Sequence, residues 1–292
     1  MENKGTVCLS FDFDAMSLWM SRGLFTPTPI SRGEFGVVAV PRILYLLEER
    51  GIKSTWFIPG HTIETYRSVC EEIVAAGHEV ALHTYNHTNM DKLTEQEEAE
   101  MFRRSYDLVA NLTGIQPKGF RGPGFDQSPR TIDFMTNLGL LYDSSQMGHD
   151  YALYYCRQGD VIYPNDPPQL GPNSTIVEMP ISWSLDDYPH FEYFRTQSIV
   201  MPGLREVDSV FKNWTADLEY MIRDFEDGVC TITFHPQVIG RGHRLLGLER
   251  WLDQLADMGL TFERMDIVAE AFAGGREFGI YQPKGKGREA RD

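Results

Sequence analysis

The chain is predicted to be an α/β protein, with a parallel sheet and helices outside it, either open or closed into a barrel. Two observations predict this. Short apolar, β-branched runs alternate with helix-like segments along most of the sequence. The length, 292 residues with 42% apolar side chains, suits one large domain or two small ones with ample core.

The elements follow in order. TVCLSFDF (6–13) reads as a strand. VVAVPRILYLLEERG (37–51) has apolar residues at helical spacing and stops at Gly51. KSTWFIP (53–59) is strand-like, IETYRSVCEEIVAAG (63–77) a helix, and HEVALH (78–83) a third strand. The long amphipathic helix at 94–114 opens on Thr94 and Glu97, a capping-box spacing. PKGFRGPG (117–124) is a short strand entering a loop, SPRTIDFMTNLG (128–139) a helix, and LLYDSS (140–145) a strand. TIVEMPI (175–181) is a further strand; VDSVFKNWTADLEYMIRDF (207–225) is a helix, and VCTITFHP (229–236) follows as a strand. HRLLGLERWLDQLADMG (243–259) is a helix, then LTFERMD (260–266) and a closing helix. Residues 15–36 and 146–175 lack this rhythm; the second reads as an insertion. The tail 276–292 is polar, and is expected to be a subunit-packing arm or a disordered end.

The net charge is −15, from 27 basic and 42 acidic residues. Nucleic acid and anionic membrane surfaces are therefore poor partners, since most of this surface would repel them. Cys8, Cys70, Cys156 and Cys230 form no C-x-x-C pair, which fits a reducing compartment. MENKGTVCLSFDFD offers no apolar h-region, and no run approaches membrane-spanning length. The expectation is a soluble cytoplasmic protein.

In such domains the active site lies at the carboxyl ends of the strands. The first strand ends in Asp12 and Asp14, the third at His83 with His87 four residues on, the fourth at Arg121, the fifth at Asp143, and VCTITFHP at His235. Taken singly, each has a structural reading: a cap, a surface ion pair, a strand end. An ionisable residue at every strand end in one series is harder to attribute to accident. His83 and His87 at i, i+4 can share a helix face, or both lean from a loop toward one ion. One Asp and two His form a three-ligand set with open positions. A carboxylate is also needed to take a proton from water, and a cationic imidazole to give one to the leaving nitrogen. HTYNH (83–87) carries Thr84 where the metalloprotease helix motif has its Glu base, so the base must come from elsewhere, and FDFD has a second Asp. Arg121 could orient it.

These motifs, SFDFD, HTYNH, FRGPGF, LYDSS and TFHP, resemble the polysaccharide deacetylase family, carbohydrate esterase family four, over roughly residues 5–275. The resemblance implies a distorted (β/α)7 barrel as one catalytic domain, 1–275, followed by the tail 276–292. It implies divalent-metal hydrolysis of N-acyl groups, with Asp12 as base, Asp14, His83 and His87 as metal ligands, His235 as acid and Arg121 orienting the base. Asp143 matches a fourth motif, and is expected to help His235 from a neighbouring strand end. The chain departs from the family in spacing its aspartates by Phe13, where D-D is usual, and in placing Phe234 in the L-x-H position before His235. On a strand the D-x-D spacing puts both carboxylates on one face.

SRGEFGVVAVPRILYLLEERGIKSTWFIPGHTIETY and MPISWSLDDYPHF resemble a branch with cyclic imidases, metal-free allantoinases and a peptidoglycan deacetylase-like protein, whose members look like cytoplasmic tetramers. D-x-D and H-x-x-x-H being present, one divalent metal per chain is expected, zinc first, with cobalt, manganese or nickel as alternatives. Glu34, Trp183, Asp186 and Asp187 are expected pocket-wall residues, although Trp183 in ISWSL also reads as core packing. The leading expectation is a hydrolase of a small linear amide or cyclic imide, assembled as a homo-tetramer. The alternatives are an N-deacetylase of acetylated amino sugars such as peptidoglycan, and an inactive binding relative.

Overall fold

The computed structural model describes residues 4–195 and 200–283. Strand β1 (Thr6–Asp12) leads into helices α1 (Ser17–Met20) and α2 (Pro27–Glu48). β2 (Thr55–Ile58) precedes α3 (Gly60–Thr65) and α4 (Arg67–Ala75). β3 (Glu79–Leu82) precedes α5 (Glu95–Thr113), and β4 (Gly119–Phe120) precedes α6 (Thr131–Asn137). β5 (Tyr142–Asp143) runs into a hairpin of β6 (Tyr154–Arg157) and β7 (Asn173–Glu178). Then come α7 (Asp187–Phe191), β8 (Phe194–Arg195), β9 (Val200–Met201), α8 (Val207–Asp224) and β10 (Phe225–Glu226). β11 (Val229–Phe234), α9 (Pro236–Ile239), α10 (Gly242–Asp257), β12 (Thr261–Phe262), α11 (Met265–Ala273) and β13 (Ile280–Tyr281) complete the chain.

Seven strands run parallel in the order β11-β1-β2-β3-β4-β5-β7, and the short β12 adds a parallel pairing to the start of β1. β6 lies antiparallel outside β7, and a parallel bridge from Asp186 to Thr233 links the segment after β7 to β11. The sheet therefore curls until its ends approach: a distorted (β/α)7 barrel, as the resemblance implied. Every residue of β1, β2, β3 and β11 is buried, as expected for parallel strands covered on both faces. The strand period divides them. On the helix side Phe11 stacks on Trp56 (4.6 Å) and Phe234 (5.6 Å). On the other side Cys8, Phe57, Ala81, Tyr142 and Val177 cluster with Met265 and Phe278. Ser10 and Asp12 continue the side of Cys8.

Three expectations change. The stretch 15–36 is mostly helix, because Pro27 and Pro29 start α2 ten residues before its apolar periodicity becomes visible. Gly33 lets that helix lie on the site loop: a Cβ there would stand 2.4 Å from the Ala15 carbonyl oxygen. The insertion 146–175 is an edge hairpin. β6 runs down from Tyr154, opposite Glu178, to Arg157, opposite Asn173, so the loop 158–172 lies at the amino end of the parallel strands. Residues 276–283, expected in the polar tail, pack on the body: β13 pairs with β10, Phe278 is buried, and Arg276 binds Asp227 at 2.7 Å. The rest of that tail lies outside the described residues.

Candidate active site and metal centre

Asp12, Asp14, His83, His87, Arg121 and His235 converge at the carboxyl ends of the strands, and all are buried. Arg121, just past β4, is wholly enclosed, with its guanidinium carbon 4.1 Å from the Phe57 ring centroid. It donates to Asp12 Oδ1 (2.7 Å), Ser10 Oγ (2.9 Å), Ser144 O (3.0 Å) and Ser144 Oγ (2.8 Å). A buried guanidinium needs this many acceptors. It fixes Asp12 through one oxygen, leaving Oδ2 3.8 Å from His83 Nε2.

His83 and His87 sit on a turn, not a helix. Thr84 and His87 adopt left-handed backbone conformations, at φ 56° and 60°. Ala15 and Phe125 do the same in the loops after β1 and β4. Such residues cost about 1–3 kcal/mol each, and they gather where geometry is imposed by a site. His83 Nδ1 lies 2.8 Å from the Arg121 carbonyl oxygen. A carbonyl only accepts, so Nδ1 carries a proton; burial lowers the ring's pKa, but Asp12 and Asp14 outweigh it and raise it, and the neutral form would offer the Nε2 lone pair to a cation. That nitrogen is 3.3 Å from Asp14 Oδ1, and His87 Nε2 is 3.6 Å from Asp14 Oδ2.

Both Asp14 carboxylate oxygens and His83 Nε2 are buried without a hydrogen-bond partner. Buried polar atoms are rarely left so. Ligand atoms of Asp14, His83 and His87 lie within 4.8 Å of one another, and a carboxylate with two imidazoles is a donor set suited to a divalent cation. Burial pushes the Asp14 carboxyl up, but the facing imidazoles outweigh it and hold the pKa at about 2. Burial pulls His87 down to about 4, so this ring is a neutral donor near pH 7.

His235 follows β11, and its Nδ1 lies 2.8 Å from Asp187 Oδ1, which also accepts its backbone N–H at 3.0 Å. Asp186 is 3.4 Å from the same nitrogen, and His235 Nε2 is 3.8 Å from Asp14 Oδ2. Burial lowers the His235 pKa, yet Asp186, Asp187 and Asp14 together raise it to about 10. Burial foremost lifts Asp186 to about 7.

The remaining expected residues fall differently. Asp143 is not the partner of His235: β7 stands between β5 and the closing bridge to β11, and Asp187 already holds the His235 ring. The Asp143 carboxylate instead accepts from Gln127 (2.7 Å) and Ser145 (2.8 Å), beside Glu178. Burial foremost drives Glu178 well up, with the Asp143 charge adding to it. Asp186 and Asp187, expected at the pocket wall, are buried beside His235: Asp187 accepts from its ring and backbone, and Asp186 lies 3.4 Å from the ring nitrogen. Glu34 is on the exposed side of α2 and makes no ion pair with the site among the described residues. Trp183 is 46% exposed and so not in the core; its ring stands 4.6 Å from that of Phe125, which lies 5.6 Å from the Arg121 guanidinium carbon. Sequence reading missed Glu178, Tyr188 and Ser144. Only the strand-end position of Glu178 could have signalled it.

A parallel α/β barrel with acid, base and imidazole groups at its carboxyl rim defines a hydrolase architecture. The polysaccharide deacetylase family model matches residues 3–142. A peptidoglycan deacetylase from Helicobacter pylori is 32% identical over 280 residues, covering 91% of this chain and 95% of that protein. The solved structure of a protein classed as a polysaccharide deacetylase from Mycobacterium smegmatis superposes with a TM-score of 0.80 at 27% identity, over 97% of this chain and 94% of that one. The PuuE allantoinase structure shares the fold, with a TM-score of 0.74 at 20% identity, over 94% and 92% of the two chains. This chain belongs to the polysaccharide deacetylase family, and is a hydrolase acting on carbon–nitrogen bonds other than peptide bonds.

Proposed function

We propose that the protein hydrolyses a small linear amide or cyclic imide, with one divalent cation, zinc first, held by Asp14, His83 and His87. The carrying observation is the buried Asp14 carboxylate, unpartnered at both oxygens and faced by two imidazole nitrogens. When bound, the cation would supply Lewis acidity to the scissile carbonyl and acidify water. Asp12 is the base: Arg121 occupies Oδ1, and Oδ2 is left to take the proton of the attacking water. His235 is the acid. Asp187 holds its Nδ1–H, so Nε2 gives its proton to the leaving nitrogen. Trp183 and Phe125 wall the mouth. The depth of the catalytic groups favours a small substrate over a polymer.

A second reading, N-deacetylation of an acetylated amino sugar, is favoured by the Helicobacter pylori relative, a peptidoglycan deacetylase. No helix among the described residues is long and apolar enough to cross a membrane, and the proposal takes the cytoplasm as the location and a small molecule as the partner. It takes a homo-tetramer as the assembly, following the branch that the sequence resembles.

Gently purified protein should contain about one divalent ion per chain by elemental analysis. It should then be assayed on succinimide-type imides, allantoin, simple N-acyl amides and chito-oligosaccharides. Turnover of a small amide or imide, lost on chelation and restored by zinc, is expected. Turnover of chito-oligosaccharides alone selects the second reading. Full activity in verified metal-free protein would sink the metal assignment.

A further inference from the structure

We propose that Arg22 selects substrates carrying a carboxylate beyond the scissile C–N bond, an inference that rests on the hydrolase site proposed above. Arg22 lies in the turn after α1. Its Nη1 donates to Tyr188 Oη at 2.6 Å. The Tyr188 ring is 5.2 Å from the His235 ring, so Arg22 stands one side chain away from the acid.

Three aromatic rings hold the guanidinium. Its carbon is 5.1 Å from the ring centroid of Phe194, 5.4 Å from that of Tyr188 and 5.7 Å from that of Trp19. These contacts stabilise the cation and restrict its orientation. The side chain is nevertheless exposed. Among the described residues its one side-chain hydrogen bond is to the phenol, and no carboxylate pairs with it. Arg42, Arg241 and Arg244 likewise have no carboxylate at ion-pair distance among the described residues, but of these four only Arg22 bonds a side chain that packs on the His235 ring. Arg32, on the same Trp19 ring, is paired with Glu192, and Arg50, Arg67, Arg130 and Arg157 each have an acid partner.

An arginine kept only for packing would gain from such a partner. One held flat by rings beside the acid, with most of its N–H donors unused, is preorganised for a ligand. A guanidinium fork matches a carboxylate bidentately. Glu192 pairs with Arg32, so Arg22 is the cation beside Tyr188 left without a carboxylate, and a carboxylate is the anion whose single charge it matches. The Tyr188 hydroxyl accepts from Arg22 and keeps its own proton to donate.

The test is calorimetric binding to the zinc-loaded full chain. Malonate, succinate and glutarate are compared with propanoate, butanoate and pentanoate. One carboxylate stands in for the acid that amide hydrolysis releases, and the second probes Arg22. At least one diacid should bind about tenfold or more tightly than the monoacid of equal length. Arg22→Gln should remove that preference while moving the monoacid less than about threefold, and Arg22→Lys should restore part of it. Equal binding of every diacid and its monoacid by the parent overturns the proposal. So does an Arg22→Gln variant that weakens both alike, since Arg22 would then act only by positioning Tyr188. The same preparations are assayed on the amide and imide panel. An Arg22-dependent diacid preference without any turnover defeats the small amide or imide reading and keeps the anion site; turnover without the preference does the reverse.

Discussion

Asp14 and Asp12 sit two residues apart, yet their surroundings give them different tasks. Asp12 has an arginine on one oxygen, whereas Asp14 has only imidazoles before it. Asp14→Asn should therefore lose the ion and lower activity at least about a hundredfold. Asp12→Asn should keep the ion and lose roughly 10²–10⁴ in kcat. Metal stoichiometry alongside kcat separates the two, and an Asp12→Asn protein that loses its ion while Asp14→Asn keeps one would show the roles reversed. The third residue is His235, which the proposed mechanism needs protonated. Its pKa is raised to about 10 by its acidic neighbours against burial, so activity should be present below that value and fall as pH rises through it. A cation at Asp14 would bring this limb lower. Asp187→Asn removes the nearest negative charge and should shift the alkaline limb of kcat down by about one to three pH units. The linked stability has the same sign: full below about 6.5, the value for an unfolded histidine, and lost as pH climbs through the folded value. An unmoved limb would show that Asp187 does not hold the proton on His235. The rim residues were legible because each ends a strand. The partner of His235 was not, because the bridge from Asp186 to Thr233, which brings Asp187 beside that ring, is invisible in the chain.

Among the elements, α2 illustrates how a helix supports chemistry that it does not perform. Gly33→Ala would drive a Cβ into the Ala15 backbone, next to Asp14. It should destabilise the fold by about 1–3 kcal/mol and also weaken metal binding, read by urea unfolding and by metal titration. A loss of stability with unchanged metal affinity would show that the loop after β1 absorbs the push. At α5, Thr94 Oγ1 accepts from the Glu97 N–H, and Glu97 accepts from the Thr94 N–H at 2.9 Å, the box expected from spacing. Thr94→Ala should lower stability by about 1 kcal/mol in the same urea experiment. Long periodic helices such as α5, α8 and α10 could be read from sequence almost to the residue. The first ten residues of α2 could not, because two prolines, two glycines and few apolar side chains imitate a loop. The turn carrying His83 and His87 was equally hidden, since left-handed backbone at Thr84 and His87 is set by the site and not by propensity.

At the scale of the molecule, alternation of strand and helix made the parallel barrel legible, but barrel closure depends on the Asp186–Thr233 bridge, which no local pattern announces. The exposed apolar side chains Phe25, Leu204 and Leu246 are 67%, 64% and 58% accessible in the single chain. Light scattering at micromolar concentration should return a tetramer, and a monomer would count against that assembly. The loop 158–172 has a separate consequence. It hangs from the end of the barrel opposite the rim, while Cys8, Cys70, Cys156 and Cys230 are all buried. A single cysteine introduced at its exposed Ile162 would thus be the one reactive thiol among the described residues. A dye, a bead or an electrode fastened there would hold the enzyme with its working face turned outward, in a known orientation and with the entrance unobstructed.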